Sequence, residues 1–346
     1  MDHDQLVQTV ARPGERLLEV RNLHTYFFLG PDQVLKAVNG VSFVLNRGQV
    51  LGIIGESGSG KSVTSRSILR VVDAPGRTVG GEVFFKGEDL LKASERKMGH
   101  IRGAQISLIF QDPTTSLNPV YTIGHQLTEA YRAHRRVSNA EARARTLEVL
   151  RLVGISDGES VLGKYPCQFS AGFRQRVFIA MAIICEPDLI IADEPTTTLG
   201  ITVQAEILSA LEDIKHKLGT SMILITHDFG VVSQFSDDIM VMYAGTCVEY
   251  APKRTTLLTP SHPYTVGLIR SVPLIEAHRS GRLESIPGFP PDMLHLPPGC
   301  PFSPRCEYAQ DRCRVEQPVL HSVGPQHLVA CHYPLDYDAR RDLILE

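Results

Sequence analysis

Short apolar runs alternate with longer amphipathic segments along most of the chain. In the first third, residues 17–28 and 34–45 alternate partially between apolar and polar side chains, and a polar turn at residues 30–32 joins them. This pattern predicts an antiparallel β-layer. Residues 49–54, which read QVLGII, are a compact apolar run with β-branched side chains. They predict a buried parallel strand into which the antiparallel layer leads.

The rest of the pattern predicts an α/β architecture, because short apolar runs are interspersed with helical periodicity. Strands are predicted at residues 80–90, 105–110, 189–192 and 222–226, and helices at residues 121–155, 177–185 and 203–218. The long helical stretch at 121–155 indicates an inserted helical subdomain. Prolines become frequent beyond Tyr250, which predicts a separate and less regular C-terminal extension.

Residues 55–62, GESGSGKS, lie between the predicted strand at 49–54 and a helix-forming segment. Glycines allow positive φ and close approach to a ligand, and the first N–H groups of a helix bind anions. Lys61 adds a positive charge for the β- and γ-phosphates, and Ser62 supplies a hydroxyl to Mg²⁺. This pattern is that of a phosphate-binding P-loop rather than a flexible turn. The residues expected to bind nucleotide are Gly55, Ser57, Gly58, Ser59, Gly60, Lys61, Ser62 and Val63.

Two other predicted strands end in polar side chains. In LIIADEP, residues 189–195, Asp193 is suited to hold Mg²⁺ through water, and Glu194 is suited to polarise an attacking water. In LITHD, His227 follows another strand, where an imidazole could contact the γ-phosphate and orient that water. A lone histidine is more often structural. When they follow a P-loop in the sequence, two such acids indicate a hydrolytic site rather than a solvent-exposed turn.

Composition changes this interpretation little. The 346 residues correspond to roughly two domains, and 43% hydrophobic and 21% charged residues are typical of soluble globular proteins. A net charge of -3 gives no reason to expect nucleic acid as a partner. We expect a cytoplasmic protein, because no apolar run is long enough to span a bilayer and the N-terminus lacks an apolar signal region. Four of the seven cysteines fall in the last fifty residues, which favours a metal over disulfides in a reducing compartment.

Taken together, these segments resemble the nucleotide-binding subunits of ABC transporters. GESGSGKS, LIFQDP, FSAGFRQR, LIIADEP and ITHD follow the order and spacing of that family. The resemblance implies a P-loop ABC ATPase sandwich of class α/β, with a parallel RecA-like core, an antiparallel β-layer and an inserted helical subdomain. It places the nucleotide-binding core at residues 1–110 and 166–250, the helical subdomain at 111–165 and the C-terminal extension at 251–346.

The resemblance also implies roles for individual residues in ATP hydrolysis. The catalytic residues would be Glu194, His227, Gln111 and Lys61, and the Mg²⁺ ligands would be Ser62, Gln111 and Asp193. Phe27 would stack on adenine, with Tyr26 as the second choice and an ordinary core aromatic as the alternative. The segment FSAGFRQR stands where the family has its signature. Ser170 and Gly172 would there face the ATP held by the opposite subunit, so hydrolysis would require a dimer.

A narrower resemblance links the chain to the ATPase subunits of oligopeptide, dipeptide and nickel importers, through QDPTTSLNP, SHPYTVGLIRSVP and PPGCPFSPRC. It implies that the ATPase lies at the cytoplasmic face of the membrane and drives import through two transmembrane permease subunits. An extracytoplasmic solute-binding protein would be an indirect partner. Peptides, related small solutes and nickel chelates stay open as substrates. Some members bind a 4Fe-4S cluster in this extension, and the resemblance implies that Cys300, Cys306, Cys313 and Cys331 would be its ligands here. Structural zinc and free buried cysteines are the alternatives.

Four positions depart from the family pattern: Phe169, Ala171, Phe173 and Gly200. Ala171 replaces a glycine and costs about 1 kcal/mol if its backbone requires positive φ. Gly200 stands where members commonly have a loop aspartate. These groups serve the partner's nucleotide, whereas the residues that serve the subunit's own nucleotide are kept. We therefore expect an asymmetric heterodimer with a second, different ATPase subunit.

Two other classes of function fit the sequence less well than transport. Soluble mechanical ABC ATPases of translation or DNA repair usually carry two cassettes or a long coiled-coil insertion, and this chain has neither. A non-catalytic regulatory cassette would be expected to lose Glu194 or Lys61, and this chain keeps both.

Overall fold

The computed structural model describes residues 14–110, 117–197, 199–271 and 285–338. The chain forms two compact units, Met1–Lys92 with Thr226–Glu346, and Ala93–Ile225. The domain boundaries predicted at residues 110, 165 and 250 stay a prediction.

The described residues form strands and helices in the following order along the chain. The strands are β1 Arg16–Gly30, β2 Gln33–Asn46, β3 Val50–Ile54, β4 Gly76–Phe85, β5 Glu88–Asp89, β6 Ile106–Ile109, β7 Leu189–Asp193, β8 Ser221–Thr226, β9 Asp238–Tyr243, β10 Thr246–Pro252, β11 His321–Gly324 and β12 His327–Val329. The helices are α1 Lys61–Ile68, α2 Glu95–Ile101, α3 Ile123–Arg132, α4 Asn139–Leu152, α5 Gly158–Leu162, α6 Ala171–Ile183, α7 Ile201–Leu218, α8 Phe229–Phe235, α9 Lys253–Leu258, α10 Pro263–Arg270 and α11 Asp311–Val315, with a short 3-10 helix at Pro166–Gln168.

The antiparallel layer of the first unit has the strand order β2-β1-β4-β5. β1 pairs with β2 on one side and with β4 on the other. Leu18, Val20 and Leu23 of β1 are fully buried. The predicted antiparallel β-layer is confirmed.

A second sheet in the same unit contains the strand that leads into the P-loop. All five residues of β3 are buried, and β3 runs parallel to β9. β9 pairs antiparallel with β10, β10 with β12, and β12 with β11. Since β12 lies near the end of the chain, strand pairing joins the region after Tyr250 to the sheet that carries the P-loop.

In the second unit, β6, β7 and β8 form a parallel array, and every residue of β7 and β8 is buried. Helix α6 packs against β6, and α3, α4 and α7 contact α6. The capping box of Ser138 and Glu141 fixes the start of α4, because each supplies a hydrogen bond that the first turn lacks. The predicted strands at 105–110, 189–192 and 222–226 are confirmed. None of the helices in the part of the chain that the structure describes has the length and apolar character needed to cross a bilayer.

Candidate functional site

The P-loop connects β3 to α1 and is shaped by two glycines in the left-handed region. Gly58 has φ 80° and Gly60 has φ 99°. A Cβ at Gly60 would lie only 2.2 Å from the carbonyl oxygen of Ala37, so this position excludes any other residue. α1 begins at Lys61 without a side-chain cap from Gly60. An anion suits such a helix start.

Lys61 is held inside this loop, with only 4% of its surface exposed. Its Nζ donates to the carbonyl oxygens of Gly55 at 2.7 Å and Glu56 at 2.9 Å. The ammonium group is therefore fixed against the backbone that precedes α1. Ser62, the next residue, is half-buried in the first turn of the helix. A cation and a hydroxyl at a helix start are the groups that bind phosphate and its Mg²⁺.

In the second unit, two carboxylates lie at the carboxyl end of β7. Asp193 is the last residue of the strand and is 2% exposed. Glu194 follows it with φ 48°, which is unusual for a residue other than glycine. Its N–H donates to the carbonyl oxygen of Ile225 at 2.9 Å, and its Oε2 accepts from Thr197 Oγ1 at 2.8 Å. These bonds offset the cost of an uncommon backbone conformation at a candidate catalytic residue.

His227 is exposed and follows β8, which pairs with β7 so that Ile225 stands opposite Asp193. Asp228 caps α8 by accepting from the N–H of Gly230 at 2.8 Å. The turn that carries His227 is thus fixed by the next helix. The carboxyl ends of parallel strands are where open α/β sheets bind ligands. Gln111, the remaining predicted catalytic residue, lies outside the described residues.

The signature segment forms the start of α6. Ser170 is the N-cap and accepts from the N–H of Phe173. Ala171 is the first helical residue and does not have positive φ, so the backbone cost considered for it does not arise. Phe169 and Phe173 stack with ring centroids 4.1 Å apart and planes at 6°. Gly172 is buried, and a Cβ there would lie 2.5 Å from Val203 Cγ1.

The candidate adenine-stacking residues lie side by side on β1 and are both half-buried. The ring of Phe27 packs against Gly76, where a Cβ would lie 2.6 Å from its Cε1. Tyr26 donates its hydroxyl to Asn39 Oδ1 at 2.9 Å, and Lys36 Nζ lies 5.8 Å from its ring centroid. Adenine stacking by Phe27 stays a prediction.

Sequence reasoning missed the residues that bind the P-loop from the C-terminal region. Arg305 contacts the carboxylate of Glu56, and the Tyr264 hydroxyl accepts from the Glu56 N–H. Glu249 on β10 is fully buried and accepts hydrogen bonds from the backbone of the SHPYT segment. The partners in these contacts are far apart in sequence, so no local pattern indicates them.

The four late cysteines line one small cavity of about 20 Å³. Burial raises the pKa of Cys306 to about 11 and that of Cys331 to about 12, so both thiols are neutral. Among the described residues, which include all four cysteines, no three His, Cys, Asp or Glu side chains are grouped to hold a metal ion. A cavity of this size has room for about one water, less than four irons and four sulfides need. The predicted metal site is therefore not supported by the geometry.

Comparisons with known proteins identify the family of this chain. Residues 38–197 match the ABC transporter family, and residues 248–313 match the C-terminal region of oligopeptide and dipeptide transporters. A probable peptide ABC transporter ATP-binding protein of Sinorhizobium fredii is 50% identical over 319 residues, which cover 92% of this chain and 95% of that protein. The chain belongs to the ATP-binding subunits of peptide ABC transporters.

Other known proteins are similar to this chain over nearly their whole length. An oligopeptide transport ATP-binding protein of Salmonella typhimurium is 44% identical, covering 97% of this chain and 99% of that protein. A dimeric ATP-binding cassette solved with ADP and Pi has a TM-score of 0.62 at 25% identity, covering 69% of this chain and 99% of that one. The α/β ABC ATPase fold predicted from the sequence is confirmed, and the chain is an ATP-hydrolysing subunit.

Proposed function

We propose that this ATPase energises import of peptides or related small solutes through two membrane permease subunits, at the cytoplasmic face of the membrane. The observation that carries the proposal is the match of residues 248–313 to the C-terminal region of oligopeptide and dipeptide transporters. An extracytoplasmic solute-binding protein would deliver the solute. The alternatives are a nickel-chelate importer and a soluble mechanical ATPase, neither of which would transport peptides.

In this proposal water attacks the γ-phosphate. Residues of this chain orient the water and stabilise the negative charge that develops. Lys61 binds the transferring phosphate, Glu194 acts on the attacking water, and His227 holds the phosphate from its strand end. Asp193, Ser62 and Gln111 would hold Mg²⁺, which supplies charge neutralisation when bound. Phe27 would stack on adenine. The inward ammonium of Lys61 and the fixed conformation of Glu194 support these roles.

Glu194→Gln tests the proposal both in the purified transporter, which contains the second ATPase subunit, and in the cell. ATP binding should persist, while hydrolysis should slow at least about a hundredfold, equal to about 2.7 kcal/mol of barrier. Uptake of a radiolabelled peptide should fall in parallel. Glu212→Gln, an exposed acid on α7, is the matched control and should change neither. Unchanged peptide uptake with blocked hydrolysis would refute the proposal that this ATPase energises peptide import, and normal hydrolysis would remove Glu194 from its role.

We further propose that the functional dimer contains a second, different ATPase subunit. The support is that the altered positions, Phe169, Ala171, Phe173 and Gly200, all lie in segments a subunit presents to its partner's nucleotide. A Cβ at Gly200 would meet no atom within 4 Å, so contact at Cβ does not require glycine there. The purified chain should have little activity alone. Glu194→Gln here should abolish most turnover of the heterodimer, and the equivalent change in the partner should matter less. Brisk activity of a pure homodimer, or equal losses from both substitutions, would contradict this.

A 4Fe-4S cluster at the four cysteines also remains a proposal, with zinc as the alternative. The support is that all four line the same cavity, and ligation requires the thiols to lose their protons. Protein purified without oxygen should then be brown, with broad absorption near about 400 nm. Colourless protein with stoichiometric zinc would indicate a zinc site, and metal-free protein would indicate free cysteines.

A further inference from the structure

Glu56 is the second residue of the P-loop, and the C-terminal region binds it at two points. Its N–H donates to the Tyr264 hydroxyl at 2.8 Å. Its Oε2 accepts from Arg305 Nη1 at 2.6 Å, and its Oε1 accepts from Nη2 at 3.0 Å. Its carbonyl oxygen accepts from Lys61 Nζ at 2.9 Å. A single residue therefore connects the phosphate-binding lysine to two elements of the C-terminal region.

Arg305 is held rigidly where it meets Glu56. Its side chain is 6% exposed, and its Nε donates to the carbonyl oxygen of Pro287 at 2.8 Å. Its guanidinium lies 5.9 Å from the ring centroids of both Tyr243 and Phe302. A bidentate guanidinium with this support has one geometry available and loses little entropy on binding a carboxylate.

Tyr264 provides an equally fixed contact. It is fully buried on α10, and its ring lies 4.6 Å from that of Tyr243 and 5.3 Å from that of Phe302. The hydroxyl cannot move without disturbing this aromatic cluster. Since this hydroxyl accepts a hydrogen bond from the N–H of Glu56, it fixes the backbone between Gly55 and the rest of the loop.

A carboxylate in a loop that binds a polyphosphate opposes its ligand unless another charge neutralises it. Arg305 supplies that charge from outside the loop. We propose that Arg305 and Tyr264 are positioning residues for ATP binding, which act through Glu56 by cancelling its charge and fixing its backbone. This inference rests on nucleotide binding at this P-loop and assigns the C-terminal region a part in it.

A purely structural ion pair makes a different prediction. If Arg305 and Glu56 only anchored the C-terminal region, breaking the pair from either side would have the same effect on stability and on ATP binding. In our proposal, the two single substitutions move ATP affinity in different directions. Arg305→Met leaves a negative charge in the loop, whereas Glu56→Gln removes it.

The test is equilibrium binding of ATP and ADP to the full chain, with thermal melting of the same samples. Arg305→Met should weaken ATP binding about tenfold, and ADP binding less, because the penalty grows with phosphate charge. Glu56→Gln should bind ATP at least as tightly as the wild type. The double variant should return to within about twofold of the wild type. Arg312→Met, which breaks the exposed Arg312–Glu316 pair in the same region, is the control and should bind ATP normally.

Further variants keep the outcome decisive. If Arg305→Met does not fold, Arg305→Lys keeps the charge without the bidentate contact and should weaken ATP binding less than tenfold. Tyr264→Phe keeps the ring and should weaken binding several-fold. A double variant that binds as weakly as Arg305→Met, or a folded Arg305→Met that binds like the wild type, would overturn the proposal. Failure of the wild type to bind ATP would instead count against the proposed function.

Discussion

Glu249 should be among the residues whose loss costs the most stability. Its side chain is fully buried on β10 and accepts three hydrogen bonds. The donors are the N–H of Ser261 at 2.7 Å, the N–H of His262 at 3.1 Å and Nε2 of His327 at 2.7 Å. This carboxylate joins the start of the SHPYT segment to β12. Glu249→Ala would leave two backbone donors and an imidazole without their acceptor.

The size of the effect follows from these contacts. Hydrogen bonds to a charged group contribute about 1.5–3 kcal/mol each, and a buried donor without a partner costs about 1–3 kcal/mol. Removing the carboxylate also relieves its own desolvation, so we expect a net loss of about 3–5 kcal/mol. Glu249→Gln keeps the shape but places an amide N–H against a donor. We expect it to cost about 1–3 kcal/mol.

Urea denaturation followed by circular dichroism measures this free energy of unfolding, and hydrogen exchange locates the loss. Exchange should increase first around residues 261–271 and in β12. Glu316→Ala is the control, since Glu316 lies in the same region but its ion pair with Arg312 is exposed and should contribute little. If Glu249→Ala unfolds within about 1 kcal/mol of the wild type, the argument from buried donors fails.

Two further predictions concern a buried histidine of the C-terminal region and a glycine of the P-loop. Burial lowers the pKa of His262 to about 4, so the unfolded chain binds its proton first and stability is lost as pH falls from about 6.5 to about 4. His262→Asn keeps an acceptor for the N–H of Tyr264 and should flatten that part of the pH profile in denaturation experiments; an unchanged slope would exclude His262 as its source. Gly60→Ala should weaken ATP binding at least about tenfold, because of its positive φ and the close Ala37 carbonyl. Gly163→Ala, at a position with open space and φ -85°, should bind ATP normally, and equal affinities would contradict the steric argument.

The parts of the fold that the sequence predicts are those controlled by local pattern. The apolar run of β3, the glycines of the P-loop and the acids after β7 are each contiguous, so their periodicity and composition carry the information. The helix start at the signature was also accessible, because Ser170 is a favourable N-cap residue. The stack of Phe169 on Phe173 is different, because Phe169 is extended and precedes the N-cap Ser170, so helical spacing does not predict this contact.

Long-range polar contacts could not be predicted from local sequence patterns. Glu56 and Arg305 are separated by 249 residues, and Glu249 and His327 by 78. Each is an ordinary charged or polar residue in its own segment, and only the tertiary fold removes it from water. The cysteines show the converse case. Their clustering in sequence does bring them to one cavity, but the space between them is a tertiary property.

The distance along the chain between Glu56 and Arg305 has a consequence for synthesis. A ribosome adds about 5–20 residues per second, so the 249 residues between them take about 12–50 seconds to make. During that interval the nascent chain has its complete P-loop sequence, but the arginine that neutralises Glu56 does not yet exist. Tyr264 is synthesised before Arg305, and β12 is synthesised after it. Nucleotide binding by a growing chain is therefore weakest while its first unit is unfinished, and a product that terminates before residue 305 carries the motif without the charge balance that completes it.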